Sequence, residues 1–244
     1  MSLINEYYSA VDALQKKIRD TQAENISAAA NAVTDCICKG GQVHIYDSGH
    51  IINNELIQRA GGFAFLKRFN YTFSVDSNKR KRETESEISL DTLAEARVAF
   101  ANSSVRKGDV FILGSVSGKS KRIIDIALCA KEAGCTLIAV TSKEYSSSLS
   151  SDHPSQKRLF ELGDIVLDNC APAGDAMIEV EGIEHKCFPA SGLAAAYMLW
   201  AVCADTAEKL VAKGLSPSVY KSVNFPGGSE EVKRIDERYT ELGY

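Results

Sequence analysis

The chain has 244 residues, 45% of them apolar, enough for one large α/β domain or two small ones with a sizeable core. Its 28 basic and 32 acidic side chains leave a formal charge of −4, which argues against nonspecific nucleic-acid binding, because that needs a basic face to release counterions. Asp12, Lys16 and Lys17 interrupt the N-terminal segment, and the longest uncharged apolar run, 192–204, is too short for a bilayer; the expected protein is cytoplasmic, with no membrane partner.

Residues 2–38 read as one long helix or two in series, with Ile4, Tyr7, Val11, Leu14 and Ile18 at three- and four-residue steps and Gly40-Gly41 closing the segment. Such a stripe must lie on the domain or on a second subunit. Residues 43–46 form a β-branched and aromatic strand that ends in Asp47-Ser48-Gly49-His50. A helix at about 53–59 and a strand at 63–66 follow. The mixed-charge run 78–87 reads as a solvated loop or helix start, because its acids cancel its bases within a few residues. Helical spacing resumes over 90–100.

Lys107-Gly108-Asp109 turns into a strand over 110–113, a loop over 114–118 and a helix over 120–133. Further strands are expected at 136–141 and 164–167, with a helix at 157–162 between them and an edge strand at 177–180. Strands alternating with helices at this spacing predict a parallel sheet covered on both faces. The helix from Gly192 to about Ala212 is apolar nearly all round and belongs in a core or a dimer interface. A tail from Leu215 ends in a charged helix. Seven cysteines are scattered through these elements without C-x-x-C spacing, and they read as reduced, small buried apolar groups.

The loop 114–120 carries the chemistry. Ligands of an open parallel sheet sit beyond the carboxyl ends of its strands. Gly114 and Gly118 permit a tight turn, so that successive N–H groups and a helix N-terminus converge on one anion. Ser115, Ser117 and Ser120 add three hydroxyls where a helix cap needs one. Gly118-Lys119-Ser120 also ends like a nucleotide P-loop, but the first glycine of G-x-x-x-x-G-K-[ST] would fall at Leu113, and Gly114 is one residue too close.

Ser115–Ser120, reading S-x-S-G-x-S, resembles the phosphate loop of the sugar isomerase (SIS) domain. The resemblance extends through SGH…NELIQRAGG (48–62), GDV (108–110), AVTS (139–142), HPSQKRLFELGDIVLDN (153–169), GDA (174–176) and KSVNFPGG (221–228). It covers nearly the whole chain and is strongest to single-domain proteins labelled phosphoheptose or phosphosugar isomerases. It implies one SIS domain over 1–244, with a helical extension at 2–38 and a tail from 215. The implied fold is α/β, a three-layer αβα sandwich with a five-stranded parallel sheet. It also implies a homodimer, or a dimer of dimers, with sites shared between subunits. By the same resemblance Ser115, Ser117 and Ser120, with Gly118, hold the phosphate of a sugar phosphate, while Ser48 and Ser191 face the sugar. Where phosphoheptose isomerases carry Gln-Glu-x-x-His, this chain has Leu193, Ala194, Ala195 and Ala196, so neither a catalytic metal nor any cofactor is expected.

Aldose–ketose isomerisation needs a base of near-neutral pKa and a polar partner. The candidates are Glu55, on the helix after the first strand, then His50 at that helix start, then His153 in a Ser-rich segment able to close over a ligand. Asp175 is a weaker one. Isomerisation of a sugar phosphate is the expected activity. A catalytically silent sugar-phosphate sensor is the alternative, and elimination or hydrolysis at the sugar stays open.

Overall fold

A computed structural model describes residues 2–48, 53–74 and 91–244. The first segment is a single helix, α1 (Leu3–Cys38), capped by the Ser2 hydroxyl and ended by Gly40 at φ +73°. Then come β1 (Val43–Asp47), the one-turn α2 (Asn53–Leu56), β2 (Leu66–Arg68), α3 (Thr92–Ala101), β3 (Val110–Gly114), α4 (Lys121–Glu132), β4 (Thr136–Thr141), the short α5 (Lys143–Ser147) and β5 (Ile165–Asp168). The chain closes with β6 (Ala176–Ile178), β7 (Cys187–Pro189), α6 (Ser191–Ala212) and α7 (Gly228–Leu242).

Five strands form one parallel sheet in the order β2-β1-β3-β4-β5. Period-2 alternation divides each strand between two cores. Val43, Ile45, Val110, Ile112, Ile138 and Val140 pack beneath α1, α6 and α7, while Tyr46, Phe111, Leu113, Leu137 and Ala139 pack beneath α3 and α4. The product is a three-layer αβα sandwich, as expected. Its order reverses between β1 and β3, which places the ligand crevice of a doubly wound sheet beyond the carboxyl ends of those two strands.

Several local expectations are corrected. The strand expected at 63–66 forms at Leu66–Arg68 instead, because Phe63 makes an antiparallel bridge to Val219 and stacks on Phe65. The helix expected at 157–162 is a single 3-10 turn, Leu159–Glu161, closed by the reciprocal bonding of Arg158 and Glu161. The edge strand expected at 177–180 does not join the main sheet: β6 pairs antiparallel with β7 in a separate hairpin. The charged run 78–87 lies outside the described residues. None of the cysteines forms a disulfide, five are buried, and burial pushes the thiols of Cys36 and Cys129 up to about 11 and those of Cys135 and Cys203 to about 12. Thiols so shifted are poor nucleophiles. Among the described residues no helix is long and apolar enough to cross a membrane.

The base of the sheet is pinned by Asp109, which is fully buried just before β3. Its carboxylate accepts the N–H groups of Gln42 and Arg106, each at 2.9 Å, and meets His44 Nε2 of β1 at 3.0 Å. Burial depresses the His44 pKa below its ordinary 6.5, and Asp109 offsets only part of that shift. A histidine kept neutral in the fold must lose stability where the unfolded chain takes up a proton and the folded chain does not. Unfolding free energy is therefore expected to decline as pH falls below 6.5, by at most about 1.4 kcal/mol per pH unit from this residue. Denaturant titrations between pH 5 and 8 check this, and a His44→Asn variant should show the shallower slope.

Candidate functional site: a serine loop at the sheet's switch point

The loop 115–120 is folded so that its carbonyls face the protein and its N–H groups face out. Val116 O accepts from Ser142 N–H at 3.1 Å and from the Thr141 hydroxyl at 2.9 Å. Gly118 O accepts from Leu159 N–H at 2.8 Å, and Lys119 O from Asp152 N–H at 3.0 Å. Each peptide whose carbonyl is drawn inward turns its N–H to the opposite side. Among the described residues no acceptor meets the N–H groups of Ser117, Lys119 and Ser120, or those of the first α4 residues Lys121, Arg122 and Ile123. Six adjacent donors thus converge where the helix dipole is positive.

The three serines divide the work. Ser115 is buried, and its Oγ accepts Gly118 N–H at 3.3 Å, bracing the turn. Ser120 occupies the N-cap position of α4, yet its hydroxyl makes no capping bond. Ser117 is half-buried, and among the described residues its hydroxyl has no partner either. Capping therefore does not explain Ser117 or Ser120. An ordinary N-cap serine loses about 1 kcal/mol on truncation. Ser120→Ala is expected to change stability by less than about 0.5 kcal/mol, while weakening phosphate binding severalfold, as read by melting and by calorimetric titration.

Only one of the two loop glycines needs to be glycine for its backbone. Gly118 adopts φ +57°, whereas Gly114 completes β3 in register with Asp47. Lys119, which a P-loop would send over its phosphate, is instead turned to Asp152 at 3.0 Å. That contact adds a geometric reason against nucleotide chemistry.

Ser48 follows β1, is exposed, and donates its N–H to Gly114 O at 3.1 Å, so it stands beside the loop across the β1–β3 crevice. Glu55 sits on α2 next to that crevice, 40% exposed and ion-paired to Arg59. His50 lies outside the described residues. His153 is not poised on a mobile segment. It is buried, Nδ1 accepts Ser155 N–H at 3.0 Å, and Nε2 meets the fully buried Asp125 of α4 at 3.1 Å. With both ring nitrogens engaged, it fastens the 151–158 segment to α4. Ser191, fully buried at the start of α6, donates its hydroxyl to Asp175 at 2.8 Å. Asp175 also accepts the N–H groups of Ala190 and Ser191 at 3.2 and 2.7 Å, so this aspartate caps the long helix. No cluster of metal ligands exists among the described residues.

One residue beside the loop escaped the sequence reading. Arg122, second in α4, lays its guanidinium 4.6 Å from the Tyr71 ring centroid, with Glu95 at 3.9 Å. The signal was legible: Lys121 and Arg122 put two cations and no acid at a helix start, the end that disfavours cations.

A family profile described as "SIS domain" matches residues 6–142. The UPF0309 protein of Shouchella clausii (strain KSM-K16) is 31% identical over 242 residues, covering 98% of this chain and 97% of that protein. The UPF0309 protein of Listeria innocua is 32% identical over 241 residues, with 98% and 96% covered. Among solved structures, the E. coli CFT073 protein c3406, captured in complex with a sugar phosphate, aligns with a TM-score of 0.50 at 17% identity, over 86% of this chain and 90% of that one, a likeness of fold.

Proposed function

Because the chain belongs to the SIS domain family, we propose that it holds a sugar phosphate with the phosphate on the 115–120 loop, and that it isomerises the sugar between aldose and ketose. The observation that carries the binding half is the outward row of six unpaired N–H groups beside the partnerless Ser117 and Ser120 hydroxyls. A phosphate supplies acceptors for such donors, and the sugar phosphate bound by the E. coli protein is in keeping with this ligand class. In the isomerisation, a base removes the proton from the carbon beside the carbonyl and returns it to the adjacent carbon, while a second proton passes between the two oxygens. Glu55 is the base in this reading, with Ser48 toward the sugar. Ser191 serves indirectly, through its bond to the Asp175 cap.

The apolar side chains left exposed on α1 (Leu3, Ile4, Tyr8) and on α6 (Leu193, Val211) support a second copy of the chain packing there. The test of the activity is deuterium exchange from solvent into a panel of aldose and ketose phosphates. Exchange into at least one member is expected; none, with phosphate binding intact, overturns the isomerase.

A second reading has its own observation. Both ring nitrogens of His153 are engaged and Glu55 is paired to Arg59. A sugar-phosphate sensor needs no free base, and it would bind the same ligands without exchange.

A further inference from the structure

The loop that receives the phosphate is built from neutral groups: hydroxyls, backbone N–H and a helix end. A phosphate monoester brings close to two negative charges at pH 7. Asp47, buried at the end of β1 in register with Gly114, adds another negative charge nearby. Some cation must balance them, and three lie along the loop. Lys119 is committed to Asp152 at 3.0 Å. Lys121 is exposed.

The third is Arg122. Its side chain is 35% exposed, and its nearest carboxylate, Glu95, stands at 3.9 Å, beyond hydrogen-bond reach. Its hydrogen bond to Tyr71 O is long at 3.4 Å. Burial works against the charge, but Tyr46, Tyr71 and Glu95 around it raise the pKa above the ordinary value. Two atoms of this cluster, Arg122 Nε and the Tyr71 hydroxyl, are buried without a hydrogen-bond partner among the described residues. Orphaned donors of this kind cost stability unless something completes them. Stacking on Tyr71 holds the planar fork ready beside the first turn of α4, and a guanidinium fork suits phosphate oxygens better than a point charge does.

We propose that Arg122 is a phosphate-binding residue, the cation that closes the serine loop over the phosphate dianion. This rests on the loop being the phosphate site, and it explains the basic first turn: with an anion in place, Arg122 neutralises rather than opposes the helix end. Its outer N–H groups leave the long bond to Tyr71 O and turn to the phosphate oxygens, while the ring of Tyr71 remains the platform.

The test titrates inorganic phosphate, a probe that needs the cradle alone, into the full chain by calorimetry. Three variants are compared with the parent: Arg122→Gln, Arg122→Lys and the double Ser117→Ala/Ser120→Ala. Arg122→Gln should weaken phosphate at least about tenfold, with Arg122→Lys between it and the parent. If Arg122→Gln binds as the parent does while the double serine variant is weakened, Arg122 is not a phosphate ligand and the loop reading stands. If the parent does not bind phosphate, or the double serine variant binds it unchanged, the loop reading fails and this one with it. Should Arg122→Gln not fold, Arg122→Lys decides: parent-like affinity overturns the proposal, and a loss of about threefold or more, at an unchanged melting temperature, supports it.

Discussion

Gly118→Ala is expected to lower the melting temperature by roughly 4–20 °C and to weaken phosphate binding more than tenfold. Two costs add. An alanine at φ +57° pays the left-handed penalty of about 1–2 kcal/mol. Its Cβ would also stand 2.9 Å from Leu159 Cβ and 3.3 Å from Leu159 N, and Leu159 is fully buried, so neither the backbone nor the side chain can yield cheaply. Overpacking of that kind costs about 1–3 kcal/mol more. The binding loss has a separate origin. Gly118 O is tied to Leu159 N–H and Gly118 N–H to Ser115 Oγ, so pushing the residue outward rotates the peptides that carry the converging N–H groups. Melting curves and phosphate titrations check both halves. A variant that melts and binds like the parent would show that the turn is not rigid.

Replacing Glu55 with Gln is expected to lower turnover about 10²- to 10⁴-fold, with ligand affinity within about a factor of three. Glutamine keeps the size and polarity of the side chain but cannot accept the carbon-bound proton. The ion pair with Arg59 does not disqualify Glu55. Both partners are substantially exposed, at 40% and 52%, and such a pair is worth at most about 1 kcal/mol, so opening it slows the reaction about fivefold. That is small against what a positioned base contributes. The measurement is steady-state turnover on whichever sugar phosphate exchanges deuterium, with the dissociation constant determined in parallel. Full turnover in Glu55→Gln moves the base elsewhere, with His50 next in line.

The main sheet was legible because its signals are local. Residues 110–113 are a continuous apolar run ending in Gly114, as a strand buried on both faces must be, and Gly134 at φ +80° stops α4 where a C-terminal glycine should. The second strand was misplaced by three residues because its position depends on Phe63 pairing with Val219, 156 positions away in the chain. No local pattern holds that information. The loop was legible as an anion site for the same local reason, but not the division among its serines: whether a hydroxyl braces the turn or stays free is set by side-chain geometry. His153 shows the converse. In sequence it sits in a Ser-rich stretch that reads as mobile. In the fold a buried carboxylate 28 residues earlier, Asp125, takes its Nε2. Asp175 reads as a Gly-flanked acid and proves to be the cap of a 22-residue helix, a role decided by where α6 begins.

Strand β3 joins two places with different duties. Asp109 precedes it at one end and Ser115 follows it at the other, six residues or about 20 Å apart along an extended backbone. The first ties the sheet together with buried charge; the second presents donors to solvent. Groups so separated, with no shared partners, act independently on free energy. Substitutions around Ser117, Ser120 and Arg122 are therefore free to change which phosphorylated ligand is preferred without touching the polar anchor at Asp109 and His44. Durability and recognition can drift separately in such a chain, which lets one scaffold serve many ligands.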